Sequence, residues 1–116
     1  MVPGAADKLL SQMRRGAIEY CVLALLRDQD MYGFELTRTL SEADGLVTSE
    51  GTVYPLLTRL RKDRLVDSFW VESPTGPPRR YYKITDYGRA ILDSFIVQWK
   101  RFCATVDVML KVKQES

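Results

Sequence analysis

The stretch that decides the fold is an amphipathic segment followed by two β-rich segments. It reads EGTVYPLLTRLRKDR (50–64), LVDSFWVE (65–72), SPTGPP (73–78) and RRYYKI (79–84). Apolar residues at helical spacing predict a helix over about Glu50–Asp63, with a buried face formed by Val53, Leu56, Leu57 and Leu60. The β-branched and aromatic residues of 65–72 and 79–84 predict two strands. Residues 73–78, rich in proline and glycine, are expected to form the turn or loop between them.

Two further amphipathic segments precede this helix. Apolar residues from Ile18 to Leu26 follow the i, i+3, i+4, i+7 spacing, which predicts a first helix from about Asp7 or Ser11 to Asp28. A second helix is expected over Tyr32–Glu42, burying Leu40 together with Phe34 or Leu36. Asp44-Gly45 should end it, since glycine readily adopts the left-handed conformation of a helix cap.

A long final helix is expected after Thr85, which is a candidate N-cap. Its apolar residues alternate spacings of three and four and form a heptad seam consisting of Leu92, Phe95, Trp99, Phe102, Val106 and Met109. Such a helix exposes more apolar surface than a monomer should. We therefore expect a homodimer that pairs through this seam.

Three helices followed by a two-stranded hairpin with a basic tip give the winged helix-turn-helix arrangement. The expected fold is mainly α with a small β-hairpin: a winged helix-turn-helix domain over residues 1–84 and a dimerisation helix over 85–116, forming one compact unit. In such a fold the third helix enters the major groove of double-stranded DNA, and a basic wing contacts the backbone or minor groove. The candidate DNA-binding residues are Thr48, Ser49, Thr52, Tyr54, Thr58, Arg59, Lys62, Arg79 and Arg80.

Less specific interpretations of these residues remain open. The polar face of the third helix could be an ordinary solvated face, and Tyr54 could pack in the core. Arg79 and Arg80 alternate along a strand, so one of them could point away from DNA. A winged helix could also serve as a protein-interaction adaptor that binds no DNA.

Composition excludes most enzyme classes. The chain has 116 residues, 46% of them hydrophobic, and a net charge of +2, so affinity for nucleic acid must come from local clustering of cations. The absence of histidine excludes a Ser-His-Asp triad, a Cys-His dyad and any His-ligated metal. Cys21 and Cys103 are far apart in sequence, and no phosphate-binding glycine loop occurs. We expect no cofactor and no metal.

The sequence also lacks the signals of a membrane or secreted protein. The longest apolar run, Cys21–Leu26, is far shorter than the ~20 residues of a membrane span. No signal-peptide apolar region is found in residues 1–15. We therefore expect a cytoplasmic protein.

Several strings in this order resemble the PadR family of bacterial transcriptional regulators. They are YGFEL (32–36), EGTVYPLL (50–57) and GPPRRYY (76–82), followed by Thr85 and Gly88. The single terminal helix is similar to that of the small subfamily. The resemblance implies a homodimer that represses promoters until a ligand binds. It is assembled through the first and last helices, so Ile18 and Val22 of the first helix are expected to join the seam at the interface. One departure is Asp63-Arg64, where many relatives carry Glu-Gly, and it adds a positive charge close to DNA.

The resemblance also marks Trp99. In multidrug-sensing relatives a tryptophan at this place pairs with its symmetry mate and sandwiches flat aromatic compounds, which implies a small aromatic effector held by Trp99, Phe95 and Phe102. Packing at the dimer seam is the alternative, because aromatic residues are enriched at interfaces. Both cysteines fall in apolar stripes and are interpreted as small buried hydrophobic residues rather than redox sensors.

Overall fold

The computed structural model describes residues 5–43 and 49–113, with side chains from residue 9 onward. The elements in chain order are α1 (Ala5–Arg14), α2 (Ile18–Asp28), β1 (Met31–Tyr32), α3 (Gly33–Glu42), α4 (Glu50–Lys62), β2 (Val66–Ser73), β3 (Gly76–Ile84) and α5 (Asp86–Leu110). A mainly helical chain with a small antiparallel sheet and a long C-terminal helix confirms the predicted fold class. The predicted stop signal at Asp44-Gly45 lies outside the described residues.

The predicted first helix is in fact two helices. α1 ends at Arg14 and α2 begins at Ile18, and Gly16 between them has a φ of +85°. This left-handed backbone conformation interrupts the helix and is one that glycine adopts without a steric penalty. The prediction of one continuous helix was wrong because the apolar spacing that carries it begins only at Ile18.

The sheet has three strands rather than the two that the sequence predicts. The spatial order is β1-β3-β2, and both pairs are antiparallel. β1 is a two-residue strand in which Met31 pairs with Tyr82 and Tyr32 with Tyr81. We call the β2–β3 hairpin the wing. β3 already begins at Gly76, so the predicted loop over 73–78 shrinks to a turn at Pro74 and Thr75.

A single apolar core joins α2, α3 and α4 to the base of the sheet and the start of α5. Val53, Leu56, Leu57 and Leu60 are all buried, which confirms the predicted inner face of α4. In α3 the buried pair is Leu36 with Leu40, and Phe34 is exposed. The remaining buried apolar residues are Val22, Leu23, Leu26, Met31, Val66, Tyr82, Ile84 and Leu92.

The start of α5 is fixed against the turn between α4 and β2. Thr85 is the N-cap, as predicted, and its Oγ1 accepts a hydrogen bond from the backbone N–H of Gly88 at 2.9 Å. The same hydroxyl donates to the carbonyl oxygen of Arg64 at 2.8 Å. Gly88 is buried against Leu65 and Ile84, so α5 leaves the winged-helix domain in a defined direction. Within the described ranges, no helix is both long and apolar enough to cross a membrane.

Gly88→Ala should destabilise the fold by about 2 kcal/mol, the typical cost of overpacking a tight site. A Cβ at this position would overlap the carbonyl oxygen of Leu65 and lie 2.9 Å from Cγ1 of Ile84. Urea unfolding at one fixed protein concentration measures the change in stability. Gly51→Ala is the matched control, since its Cβ would meet only Oγ of Ser49 at 3.6 Å. Equal stability of the two variants would contradict the packing described for Gly88.

Candidate nucleic-acid interface

The outward face of α4 carries polar side chains along its length. The predicted residues Thr52, Thr58, Arg59 and Lys62 are exposed, and Tyr54 is 42% exposed. Oγ1 of Thr58 donates to the carbonyl oxygen of Tyr54 at 3.1 Å, which leaves its lone pairs directed to solvent as acceptors. Threonine, arginine and lysine side chains supply both the base-edge and the phosphate contacts of groove-binding helices.

Ser49 is the N-cap residue of α4, with its side chain exposed. Its hydroxyl makes no capping hydrogen bond, whereas its carbonyl oxygen accepts from the backbone N–H of Thr52 at 3.2 Å. The hydroxyl therefore remains available at the positive end of the helix dipole, where anions are favoured. Thr48, the other predicted residue of this turn, lies outside the described residues.

Tyr54 packs against the start of α3 and is also partly exposed. Its ring lies so close to Gly33 that a Cβ there would be 2.5 Å from Cε1 of the tyrosine. The residue as a whole keeps 42% of its surface exposed and lines the open space beside the wing. Burial raises the pKa of the Tyr54 phenol, and the neighbouring Glu50 raises it further, so the phenol stays protonated and can donate a hydrogen bond at neutral pH.

The two predicted arginines of the wing are each held against an aromatic ring. The guanidinium carbon of Arg79 lies 4.6 Å from the ring centroid of Tyr32. That of Arg80 lies 5.7 Å from the ring centroid of Trp70. The two side chains leave β3 towards opposite faces, and each guanidinium then lies near an aromatic ring.

An open cavity of about 600 Å³ lies between α4, the start of α3 and the wing. Of the predicted DNA-binding residues it brings together Tyr54, Arg79 and Arg80. The other residues that line the cavity were not predicted as site residues from the sequence; they are Tyr32, Gly33, Phe34, Trp70, Pro78 and Tyr82. An aromatic residue in a predicted strand is normally expected in the core, so exposed Trp70 gave no signal of a surface role.

Arg59 is engaged by a carboxylate of the same chain. Its Nη2 lies 3.2 Å from Oε2 of Glu19 on α2. The arginine side chain is 60% exposed and that of Glu19 is 22% exposed. The positive charge of Arg59 is therefore partly compensated by Glu19 in the free protein. The spacing of residues within α4 could not predict this ion pair, because its partner lies on another helix.

The predicted dimer and ligand residues fall into three groups by exposure. Val22 and Leu92 are buried in the core of the single chain, so their assignment to a dimer interface is corrected. Ile18, Phe95 and Val106 are half-buried. Trp99, Phe102 and Met109 are 44%, 61% and 76% exposed, leaving an apolar surface along the distal part of α5.

The predicted ligand residues form a continuous row of rings. The centroids of Phe95 and Trp99 are 5.6 Å apart, and those of Trp99 and Phe102 are 6.3 Å apart. Tyr20 of α2, which the sequence pattern did not single out, extends the row and stacks on Phe95 at 3.8 Å with near-parallel planes. The row thus begins inside the winged-helix domain and ends on the exposed part of α5.

The two cysteines are both half-buried and unpaired. Burial raises the pKa of the Cys21 thiol, which disfavours the thiolate required for redox chemistry. This environment agrees with the interpretation of Cys21 as a small apolar residue.

A helix with a polar outer face beside a basic wing defines the class of winged-helix DNA-binding proteins. The chain belongs to the transcriptional regulator PadR-like family, whose model matches residues 22–94. It is therefore a DNA-binding transcriptional regulator and not an enzyme.

Similar proteins cover nearly the whole chain. A PadR-like transcription factor from Bacteroides fragilis is 44% identical, with a TM-score of 0.73 over 88% of this chain and 98% of that one. A PadR family transcriptional regulator from Eggerthella lenta DSM 2243 is 31% identical, with a TM-score of 0.82 over 93% and 94% of the two chains. A transcriptional regulator from Mycobacterium tuberculosis is 36% identical over 83 residues, covering 72% of this chain and 76% of the relative.

Glu19→Gln should strengthen binding to duplex DNA about two- to fivefold at low salt, the range expected for releasing one exposed ion pair. The reason is that Arg59 is freed from its competing carboxylate and can reach a phosphate. Fluorescence anisotropy of labelled duplex measures the change. The slope of log K against log salt should also steepen, by up to about 0.9.

Two controls separate this effect from a simple change in net charge. Asp93→Asn removes the same charge from an exposed site on α5. Glu19→Gln should also have little effect when Arg59 is already replaced by Gln. If Asp93→Asn strengthens binding as much, or if the effect persists without Arg59, the competition between carboxylate and phosphate is disproved.

Proposed function

We propose that this regulator is a homodimeric repressor that binds a pseudo-palindromic operator and is released by a small aromatic ligand. The observation that carries the DNA-binding part is the convergence of Tyr54, Arg79 and Arg80 on one open cavity beside α4. Groups from α4 and from the wing thereby face a single space, as a surface that follows a groove and its flanking backbone requires.

In this proposal α4 enters the major groove. Thr52, Thr58 and Lys62 lie on its outer face, so they reach base edges and nearby phosphates. Thr48 and Ser49 contribute hydroxyls near the helix N-terminus, and Arg59 contributes a cation once it leaves Glu19. The arginines of the wing reach the adjacent backbone or minor groove.

The dimer is supported by apolar surface that the single chain leaves uncovered. Exposed apolar residues occupy α1 and the distal part of α5; they are Leu9, Leu10, Met13, Trp99, Phe102, Val108, Met109 and Leu110. A patch of this kind on a small protein marks an association site. We assign residues 1–84 to the DNA-binding domain and 85–116 to the dimerisation helix. Two-fold symmetry then places two copies of α4 about 34–36 Å apart on the DNA.

The ligand site is proposed at Trp99, Phe95 and Phe102. Their rings already lie in a row, and Trp99 keeps enough exposed ring to stack on a flat compound. A route from this row to the DNA runs through α2, where Tyr20 stacks on Phe95 and its neighbour Glu19 holds Arg59. A ligand that prefers one arrangement of α5 and α2 would shift the population away from the DNA-binding geometry.

The experiment that tests the whole proposal is anisotropy with DNA from upstream of the protein's own gene, at two salt concentrations. Tight binding that survives excess scrambled duplex supports a sequence-specific regulator. Release by flat aromatic compounds in the same assay supports the ligand. If binding is weak and equal for both duplexes, the binding site should be sought by selection from genomic fragments. If no fragment is selected, the proposed binding to a specific operator is disproved.

Replacing Arg79 and Arg80 by Ala should weaken DNA binding and lower the salt slope by about 0.9 for each phosphate that the variant no longer neutralises. Both guanidinium groups border the cavity beside α4, so both lie where a backbone would pass. The double variant Lys100→Ala/Arg101→Ala removes the same charge from exposed positions on α5. An unchanged slope in the wing variant, or an equal weakening in the α5 variant, would contradict the phosphate role.

Replacing Trp99 by Ala should abolish binding of aromatic ligands while leaving the dimer intact. Trp99 supplies a stacking surface in the middle of the ring row, whereas the proposed interface spans α1 and much of α5. Isothermal titration calorimetry measures ligand binding, and sedimentation equilibrium measures the dimer. Val97→Ala, at an exposed apolar position of α5 outside the ring row, is the control and should bind the ligand normally. Dissociation of the Trp99→Ala dimer would instead assign Trp99 to packing.

A further inference from the structure

Arg80 is held in the wing by two neighbours on the adjacent strand. Trp70 is its direct partner in the β2–β3 register, and the guanidinium carbon lies 5.7 Å from the centre of the indole ring. Nε of Arg80 donates a hydrogen bond to Oγ of Ser68 at 3.1 Å. The side chain is therefore bound at its inner nitrogen, and its guanidinium lies within cation–π range of the indole ring.

The outer end of the same guanidinium is left unused. In the part of the chain that the structure describes, neither Nη of Arg80 has a hydrogen-bond or ion-pair partner. An arginine has five N–H donors in a rigid fork, and only the Nε donor is engaged. The two Nη groups can accordingly meet a phosphate without breaking any interaction that holds the side chain.

Trp70 lies outside the apolar core. Its side chain is 67% exposed, at the rim of the cavity that also contains Tyr54. Such exposure of a tryptophan places a large apolar surface in water. The indole ring lies against the guanidinium of Arg80, so this arginine covers part of a ring that the core leaves in solvent.

We propose that Trp70 is a positioning residue that sets Arg80 in the orientation required to bind the DNA backbone. The inference rests on the proposed DNA-binding surface and adds to it a residue that carries no charge. An unrestrained arginine loses rotamer freedom when it binds a phosphate. Stacking on Trp70 restricts the guanidinium beforehand, so Arg80 loses less of this freedom on binding.

The second arginine of the wing provides a contrast. Arg79 stacks on Tyr32, but Tyr32 also precedes α3 as its N-cap and packs against Tyr81 at 5.4 Å. Replacement of Tyr32 would disturb helix, sheet and arginine together. Trp70 is exposed and projects from the wing, so its replacement reports on Arg80 with little effect on the fold.

The stacking itself is tested in the free protein. The chain has two tryptophans, so a Trp99→Phe variant leaves Trp70 as the sole indole fluorophore. Arg80→Ala in that background should raise the acrylamide quenching constant of Trp70 and shift its emission to longer wavelength, because one face of the ring is then uncovered. Unchanged quenching and emission would overturn the proposal.

The consequence for DNA binding is tested by anisotropy on the full-length protein. Trp70→Leu should weaken binding about two- to fivefold, as expected when an exposed cation–π interaction is removed. Trp70→Phe should restore most of the affinity, since a phenyl ring also accepts a cation. In an Arg80→Ala background, Trp70→Leu should have no further effect, because Trp70 acts through the arginine. Circular dichroism and thermal unfolding confirm that each variant is folded.

Phe69→Leu is the matched control, since it removes a ring from the opposite face of the same strand, where Phe69 stacks on Tyr81. It should leave DNA affinity unchanged. Normal affinity of Trp70→Leu, or an equal weakening by Trp70→Leu with and without Arg80, would overturn the inference while leaving the proposed function intact. If the wild-type protein binds no duplex at all, the proposed function fails and this inference fails with it.

Discussion

The close approach of α5 to the turn between α4 and β2 is the constraint on which the rest of the structure depends. Gly88 allows the backbones to touch at Leu65, and Thr85 bonds to Arg64 on one side and Gly88 on the other. This junction ties the end of α4, the base of the wing and the first turn of α5 into one unit. The direction of α5 relative to α4 therefore follows from short contacts at this junction, made by the backbone at Gly88 and by the hydroxyl of Thr85.

The fixed direction of α5 matters because the two ends of the molecule carry different kinds of surface. α4 and the wing carry the polar groups, and the distal part of α5 carries the uncovered apolar ones. A dimer formed along α5 would have its α4 separation set by the angle at the junction. A small rotation of one α5 helix against the other would then displace α4 by a larger distance, since the displacement produced by a rotation grows with distance from its axis.

The sequence predicts the elements whose pattern is long and local. The inner face of α4 and the cap at Thr85 follow from spacing and residue type over a few turns. β1 could not be predicted this way, because a two-residue strand has no periodicity and exists only through pairing with β3. The prediction that Leu92 lies at the dimer interface failed for a similar reason. A heptad pattern shows that residues share a helix face, but it does not show whether that face is already buried within the same chain. The contacts of Arg59 and Arg80 join separate elements, so no local pattern contains them.

Charge placement, rather than charge quantity, governs the candidate interface. With 17 basic against 15 acidic residues, the chain has little excess charge to attract DNA at a distance. Arg59 is partly compensated by Glu19, whereas the Nη groups of Arg80 stay open and the side chain is held in place. We expect such a surface to bind unrelated DNA weakly, because diffuse attraction supplies most non-specific affinity. In the proposed complex its few cations add free energy only where the DNA backbone passes them at the right position, so we expect the geometry of the wing to contribute to specificity without contacting a base.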